Sequence, residues 1–223
     1  MKKIGIVGGL SPESTLLYYN HIVKKYYELK KDYNFPEIII YSLSFEKFRK
    51  ALKNGKGAKE ILKALNALKN AGADFAIISA NTPHIFFDEI KKESPLPLIS
   101  IVDATVEKAR KEEMKNLLLL GTIFTMESGY FKNEYERNGI KIVVPNKEER
   151  EIVNGIIFNE LSKGLVKEES RKKLIEIINR YEVDGVILGC TELPLILSQK
   201  DTDKKLLNTA TIHAEKALMH AML

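Results

Sequence analysis

The side chain with the most chemistry in this sequence is its single cysteine, Cys190, set in the run Gly189-Cys190-Thr191-Glu192. A thiol can give a proton to carbon, and as a thiolate it can take one back. The thiolate is favoured by a helix N-terminus and disfavoured by burial or by the charge of Glu192. The same position also suits an inert core residue, because free cysteine packs as a small hydrophobe. One cysteine excludes an internal disulfide framework and a multi-thiolate metal site. The four histidines, His21, His84, His213 and His220, are scattered without ligand spacing, so no metal site is predicted.

Cys190 has a counterpart earlier in the chain. An aspartate opens a four-residue apolar run in Asp74-Phe75-Ala76-Ile77-Ile78 and again in Asp184-Gly185-Val186-Ile187-Leu188. A small residue follows, then Ala80 in the first copy and Cys190 in the second, each six residues after its aspartate. Val7-Gly8-Gly9 and Leu120-Gly121-Thr122 begin the two copies with strand, glycine and polar turn. Two matches in the same order indicate a duplicated lobe.

The elements that must carry these residues alternate between short apolar runs and longer amphipathic stretches, the pattern of parallel strands joined by helices. Strands are predicted at Ile4–Val7, Ile38–Tyr41, Phe75–Ile78 and Leu98–Ile101, then at Leu117–Leu120, Ile140–Val144 and Gly185–Leu188. Ser11 is a good N-cap, with Pro12 at the first helical position of a helix running toward Lys30. Ile61, Leu62, Leu65 and Leu68 share one helical face that Gly72 ends. Further helices are expected near Ser128–Arg137, at Glu148–Lys163 and at Glu168–Tyr181, and Gly55-Lys56-Gly57 reads as a flexible loop. The predicted fold is α/β: two pseudo-symmetric three-layer lobes, each a mostly parallel sheet flanked by helices, with an active-site cleft between them. Residues 1–101 form the first lobe and 102–211 the second, with a C-terminal helix at 212–223 packing back on the first.

In open α/β sheets ligands sit beyond the carboxyl ends of the strands. Both motifs fall at such ends. Their polar residues suit a small anionic substrate, bound by helix-start N–H groups with Ser11, Asn81, Thr82, Thr122, Thr125 and Thr191 as hydrogen-bond partners.

Composition narrows the partners. Hydrophobic residues at 44% and charged residues at 29% exclude a disordered chain. The net charge of +5 is spread over runs such as Lys167-Glu168-Glu169, which read as solvated helix faces rather than a nucleic-acid surface. The N-terminal apolar run is too short for a signal peptide, and no segment reads as a membrane span. A cytoplasmic protein that binds neither nucleic acid nor membrane is expected.

Together, Gly8-Gly9-Leu10-Ser11-Pro12-Glu13-Ser14-Thr15, Ala80-Asn81-Thr82-Pro83-His84, Gly189-Cys190-Thr191-Glu192 and Ile212-His213-Ala214-Glu215 resemble the aspartate/glutamate racemase family. Thr-Glu after the cysteine resembles the aspartate racemase branch. The resemblance implies a two-lobed, cofactor-free enzyme, a homodimer, and an acidic amino acid or dicarboxylate as substrate. It also implies a two-base reaction, with one cysteine on each wall of the cleft exchanging the α-hydrogen. Here Cys190 is the second of these and Ala80 stands where the first would be; a methyl group transfers no proton. Thr82 or His84 could take its place, directly or through water. Glu192, like Thr191, would lie against the substrate. Arylmalonate decarboxylases, which are related, keep only the second-lobe cysteine, so one-sided protonation is the alternative chemistry. A non-catalytic binding protein for acidic amino acids is a third reading. Asn208 replaces a carboxylate common in the family's closing segment, and Arg49 and Lys163 lie near the positions of its substrate-binding cations.

Overall fold

A computed structural model describes residues 1–223, which divide into two compact units: Met1–Ala104 with Ala210–Leu223, and Thr105–Thr209. The first lobe runs β1 (Ile4–Gly8), α1 (Pro12–Lys30), β2 (Ile38–Ser42), α2 (Phe45–Lys53), α3 (Gly57–Asn70), β3 (Phe75–Ile78), α4 (Phe87–Glu93) and β4 (Leu98–Ile99). Helix α5 (Ile101–Lys111) carries the chain out of it. The second lobe holds β5 (Asn116–Leu120), α6 (Ile123–Glu127), α7 (Gly129–Arg137), β6 (Lys141–Val143), α8 (Lys147–Asn159), α9 (Glu168–Asn179), β7 (Gly185–Leu188) and β8 (Lys205–Asn208), before the closing helix α10 (Thr209–Ala221).

Each lobe is built on a four-stranded sheet, ordered β2-β1-β3-β4 in the first and β6-β5-β7-β8 in the second. Every pairing is parallel. The same strand order in both lobes is the structural form of the repeat. The repeated aspartates have a structural reason too. Asp74 Oδ2 accepts from the Lys3 N–H at 2.6 Å, and Asp184 Oδ2 accepts from Lys115 and Asn116 at 2.7 and 2.8 Å. Each carboxylate secures the entry of the neighbouring central strand.

Central strands buried on both faces must be apolar throughout, and β1, β3 and β7 are buried along their whole length. Alternation then divides their side chains between two layers. Ile4, Ile6, Phe75 and Ile77 pack with Tyr18, Ile22 and Tyr26 of α1 and with Ala210, Ala214, Ala217 and Leu218 of α10. Val7, Ala76 and Ile78 pack on the opposite face with Ile61, Ala64, Leu65 and Leu68 of α3. At roughly 1.5–3 kcal/mol for each large apolar side chain buried, these two layers supply the main drive for folding the first lobe. In the second lobe Val153, Ile156 and Ile157 of α8 and Leu174, Ile177 and Ile178 of α9 are buried with the strands.

The boundaries depart from the sequence expectation where caps compete with apolar runs. Ile101 belongs to α5 rather than to a fourth strand, because Ser100 Oγ accepts from the Val102 and Asp103 N–H groups, both at 3.1 Å. The helix expected to reach Lys163 ends at Asn159 and gives way to a 3₁₀ turn at Leu161–Lys163. Gly57 is no flexible linker: it opens α3, and a Cβ there would lie 2.8 Å from the Phe86 ring. No helix is long and apolar enough to cross a membrane.

The turn after β1 depends on Gly9. Its φ is +74°, and a Cβ there would fall 2.1 Å from the Leu43 carbonyl oxygen. Gly9→Ala is therefore expected to destabilise the protein by at least about 2 kcal/mol, from positive φ plus the clash with backbone. Denaturant unfolding would read this directly; a loss under about 0.5 kcal/mol, the range of ordinary surface substitutions, would show that the turn is not under this constraint.

Candidate functional site

In the second lobe the chemistry gathers where β7 ends. Gly189 donates its N–H to the Leu120 carbonyl at 2.7 Å, and a Cβ at Gly189 would stand 2.9 Å from that same oxygen. Only glycine lets the strand lie this close. Cys190 follows at once, half-buried, with its Sγ donating to Glu192 Oε2 at 2.8 Å. The Thr191 hydroxyl donates to the same oxygen at 2.9 Å. Burial, followed by the charge of Glu192 and its hydrogen bond, raises the thiol well above its ordinary range; the N–H groups of Glu192 and Thr191 pull weakly the other way. Cys190 is therefore a protonated thiol aimed at a carboxylate. Such a group rests with its proton in place and gives it up only to a strong base such as a carbanion or enolate carbon.

Thr122 and Thr125 lie at the neighbouring turn after β5. Thr122 caps α6 by accepting from the Thr125 N–H at 3.3 Å, and the two hydroxyl oxygens are 3.2 Å apart. Thr125 is completely buried beneath Gly121 and Gly189, whereas Thr122 is half-buried. The Ile123 N–H is taken by Asn154 Oδ1 at 3.0 Å, a partner that the sequence pattern gave no sign of.

In the first lobe the corresponding loop follows β3. Ser79 donates through both its N–H and its Oγ to the Val7 carbonyl, at 3.0 and 3.1 Å, and its own carbonyl accepts from Ser14 Oγ at 2.6 Å. The Ala80 N–H bonds to the Ile78 carbonyl at 2.9 Å, and the Ala80 carbonyl meets His84 Nδ1, also at 2.9 Å. Asn81 is buried, and Thr82 is half-buried at the head of the 3₁₀ turn Thr82–Phe86. Ser11 caps α1, accepting from the Ser14 N–H at 3.1 Å. Ser14 and Ser79 were given no role from the sequence, since buried serines carry no periodic signal.

His84 and His213 are both fully buried. Burial pushes His84 down to about 3, helped by the nearby His213, and pushes His213 down to about 4. Of the candidate cations, Arg49 is exposed and bonded to Glu46 at 2.9 Å, and Lys163 is exposed at the end of its turn. No group of three or more His, Cys, Asp or Glu residues is placed to hold a metal.

The Asp/Glu/hydantoin racemase family model matches residues 7–217 of the chain. The chain belongs to this family. Among curated members it is similar to the broad specificity amino-acid racemase RacX of Bacillus subtilis (strain 168), with 23% identity over 96% of each chain. Among solved structures it resembles an aspartate racemase homologue from Pyrococcus horikoshii OT3, with 40% identity, a TM-score of 0.90 and full coverage of both chains. The aspartate racemase of Picrophilus torridus has the same fold at 23% identity, with a TM-score of 0.78 over 100% of this chain and 95% of that one. The racemase fold, with two four-stranded parallel sheets flanked by helices, is thus established for this chain.

Two measurements follow from the electrostatics. Because the chain has one cysteine, alkylation reports Cys190 alone. Glu192→Gln removes the opposing charge, so the pH midpoint of iodoacetamide alkylation should fall; an unmoved midpoint would mean the carboxylate does not hold the thiol protonated. For the buried histidines the ordinary value is 6.5 and the folded values are about 3 and 4, so between these limits the unfolded chain binds more protons. Stability should be fully present above pH 6.5 and be lost as the pH falls toward 4, by roughly 1 kcal/mol per pH unit for each histidine. Denaturant titrations should show this acid slope and a shallower one in His84→Asn; a flat profile would contradict the burial of neutral rings.

Proposed function

We propose that this racemase-family chain is a cofactor-independent isomerase acting at the α-carbon of an acidic amino acid such as aspartate, with Cys190 as its single thiol acid/base. The observation that carries this reading is the protonated Cys190 thiol held by Glu192 at the carboxyl end of β7. The name of the Pyrococcus relative supports aspartate, and that of RacX supports tolerance of other side chains.

In the proposed step the α C–H bond breaks on the face without a protein thiol, and its proton passes to water. The electron pair delocalises into the substrate carboxyl group. The Cys190 S–H bond then breaks as a C–H bond forms on the other face, and the thiolate regains a proton from water. Asn81, Thr82, Thr122 and Thr191 are assigned to the substrate's carboxylate and ammonium groups; Glu192 is assigned to the thiol. With a methyl at position 80 the first half of this reaction is slow, because a positioned acid or base is worth about 10²- to 10⁴-fold.

A second reading is favoured by the same thiol. A group biased toward the protonated state suits one-sided delivery of a proton to an enediolate left by loss of carbon dioxide. That is the chemistry of a cysteine-dependent decarboxylase or a one-base carbon-acid isomerase.

Proton-exchange NMR in deuterium oxide separates these readings, using each enantiomer of aspartate, glutamate and a neutral panel. Exchange with inversion that disappears in Cys190→Ala, and rises at least about a hundredfold in Ala80→Cys, is the expected result for the racemase. Exchange of one enantiomer with retention favours one-sided chemistry. Turnover that survives in Cys190→Ala would end both.

A further inference from the structure

We propose that His84 is the positioning residue of the first-lobe site loop, a fixed neutral imidazole that sets the direction in which residue 80 presents its side chain. The inference rests on the proposed function in treating position 80 as the counterpart of Cys190.

The proton on the ring is placed by its partners. A carbonyl oxygen only accepts, so the 2.9 Å contact with the Ala80 carbonyl requires the proton on Nδ1. The bare Nε2 then accepts from the Ile101 N–H at 3.2 Å. His213 is fixed by the same reasoning. Its Nε2 donates to the Ile99 carbonyl at 2.9 Å, and its Nδ1 accepts from the Tyr18 hydroxyl at 2.9 Å. The two rings lie edge to face, 6.0 Å between centroids, and His84 stacks on Phe87 at 5.1 Å. A proton added to either ring would break one of these bonds and bury an uncompensated charge. Neither ring is free to shuttle a proton, so the role left to His84 is to hold main chain.

The main chain it holds is that of residue 80. The Ala80 N–H is fixed by Ile78 and its carbonyl by His84, while Ser14 and Val7 fix Ser79 on the preceding side. With the flanking peptide planes fixed, the Cα–Cβ direction at position 80 is fixed as well. Through Ile101 the same ring reaches the first turn of α5, the helix inside which the chain leaves the first lobe.

The test uses an Ala80→Cys background, where the new thiol serves one face of the α-carbon and Cys190 the other. His84→Asn keeps a donor near Nδ1 for the Ala80 carbonyl. His84→Gln reaches toward Ile101 but loses that donor. With D- and L-aspartate in deuterium oxide, exchange through the introduced thiol should fall about tenfold or more in His84→Gln, as an ångström-scale misplacement does. It should stay within about threefold in His84→Asn, and exchange through Cys190 should hold in both. Equal losses on both faces, or no loss at all, would overturn the proposal. Imidazole ¹⁵N spectra of the unsubstituted protein supply a readout independent of turnover and of whether the variants fold. A neutral Nδ1–H ring that does not titrate between about pH 5 and about pH 8 is expected. An Nε2–H tautomer, or titration near the ordinary value, would overturn the assignment. If no amino acid exchanges even in Ala80→Cys, the proposed activity fails and the spectrum alone decides the role of His84.

Discussion

A parallel strand covered by helices on both faces can place polar side chains only at its ends. In this protein that constraint decides where chemistry can occur. β1, β3 and β7 are buried throughout, so Ser79, Asn81, Cys190 and Glu192 appear only where the backbone leaves the sheet. The turns at these ends are shaped by close approach. Gly9 and Gly189 lie so near to neighbouring carbonyls that no side chain fits. The hydrogen bonds of Ser79 and of Gly189 to the adjacent strand then hold the following residue in place.

The duplicated scaffold has been put to unequal use. Both lobes keep the aspartate that secures strand entry and the turn that presents the sixth residue after it. The second lobe presents a thiol weakened as an acid first by burial and then by Glu192; the first presents a methyl on a loop that is no less firmly bonded. The two lobes share a framework and differ in the side chain it presents, so the asymmetry is chemical rather than architectural. The duplicated fold needs only the backbone pattern, whereas proton transfer needs one specific side chain.

Much of this was legible in the sequence. Apolar runs marked the central strands, Ser11 with Pro12 marked the start of α1, and paired aspartates at equal spacing exposed the duplication. Legibility failed where a side chain's rotamer or a weak edge decides. The charge of Glu192 was read as acting on Cys190, but spacing could not show the rotamer by which its carboxylate accepts a hydrogen bond from the thiol. Strand β8 at Lys205–Asn208 passed unrecognised behind a polar connection, since edge strands need no continuous apolar run. Ile101 looked like the end of a strand because Ser100 reads equally as a strand residue or a cap. The bonds of His84 to Ala80 and Ile101 are tertiary, and no local pattern announces them.

The first lobe is discontinuous: Ala210–Leu223 belongs to it, and the Lys2 N–H bonds to the Ala221 carbonyl at 2.9 Å. Alanines of α10 fill the layer against Ile4, Ile6 and Phe75. On the ribosome, where domains generally fold in order of synthesis, this reverses the sequence of completion. The lobe that begins first must wait, with one apolar face uncovered, until the last helix emerges. Its partner can close earlier. A chain truncated after Thr209 would keep every residue of the second lobe and leave the first with the face that α10 covers exposed.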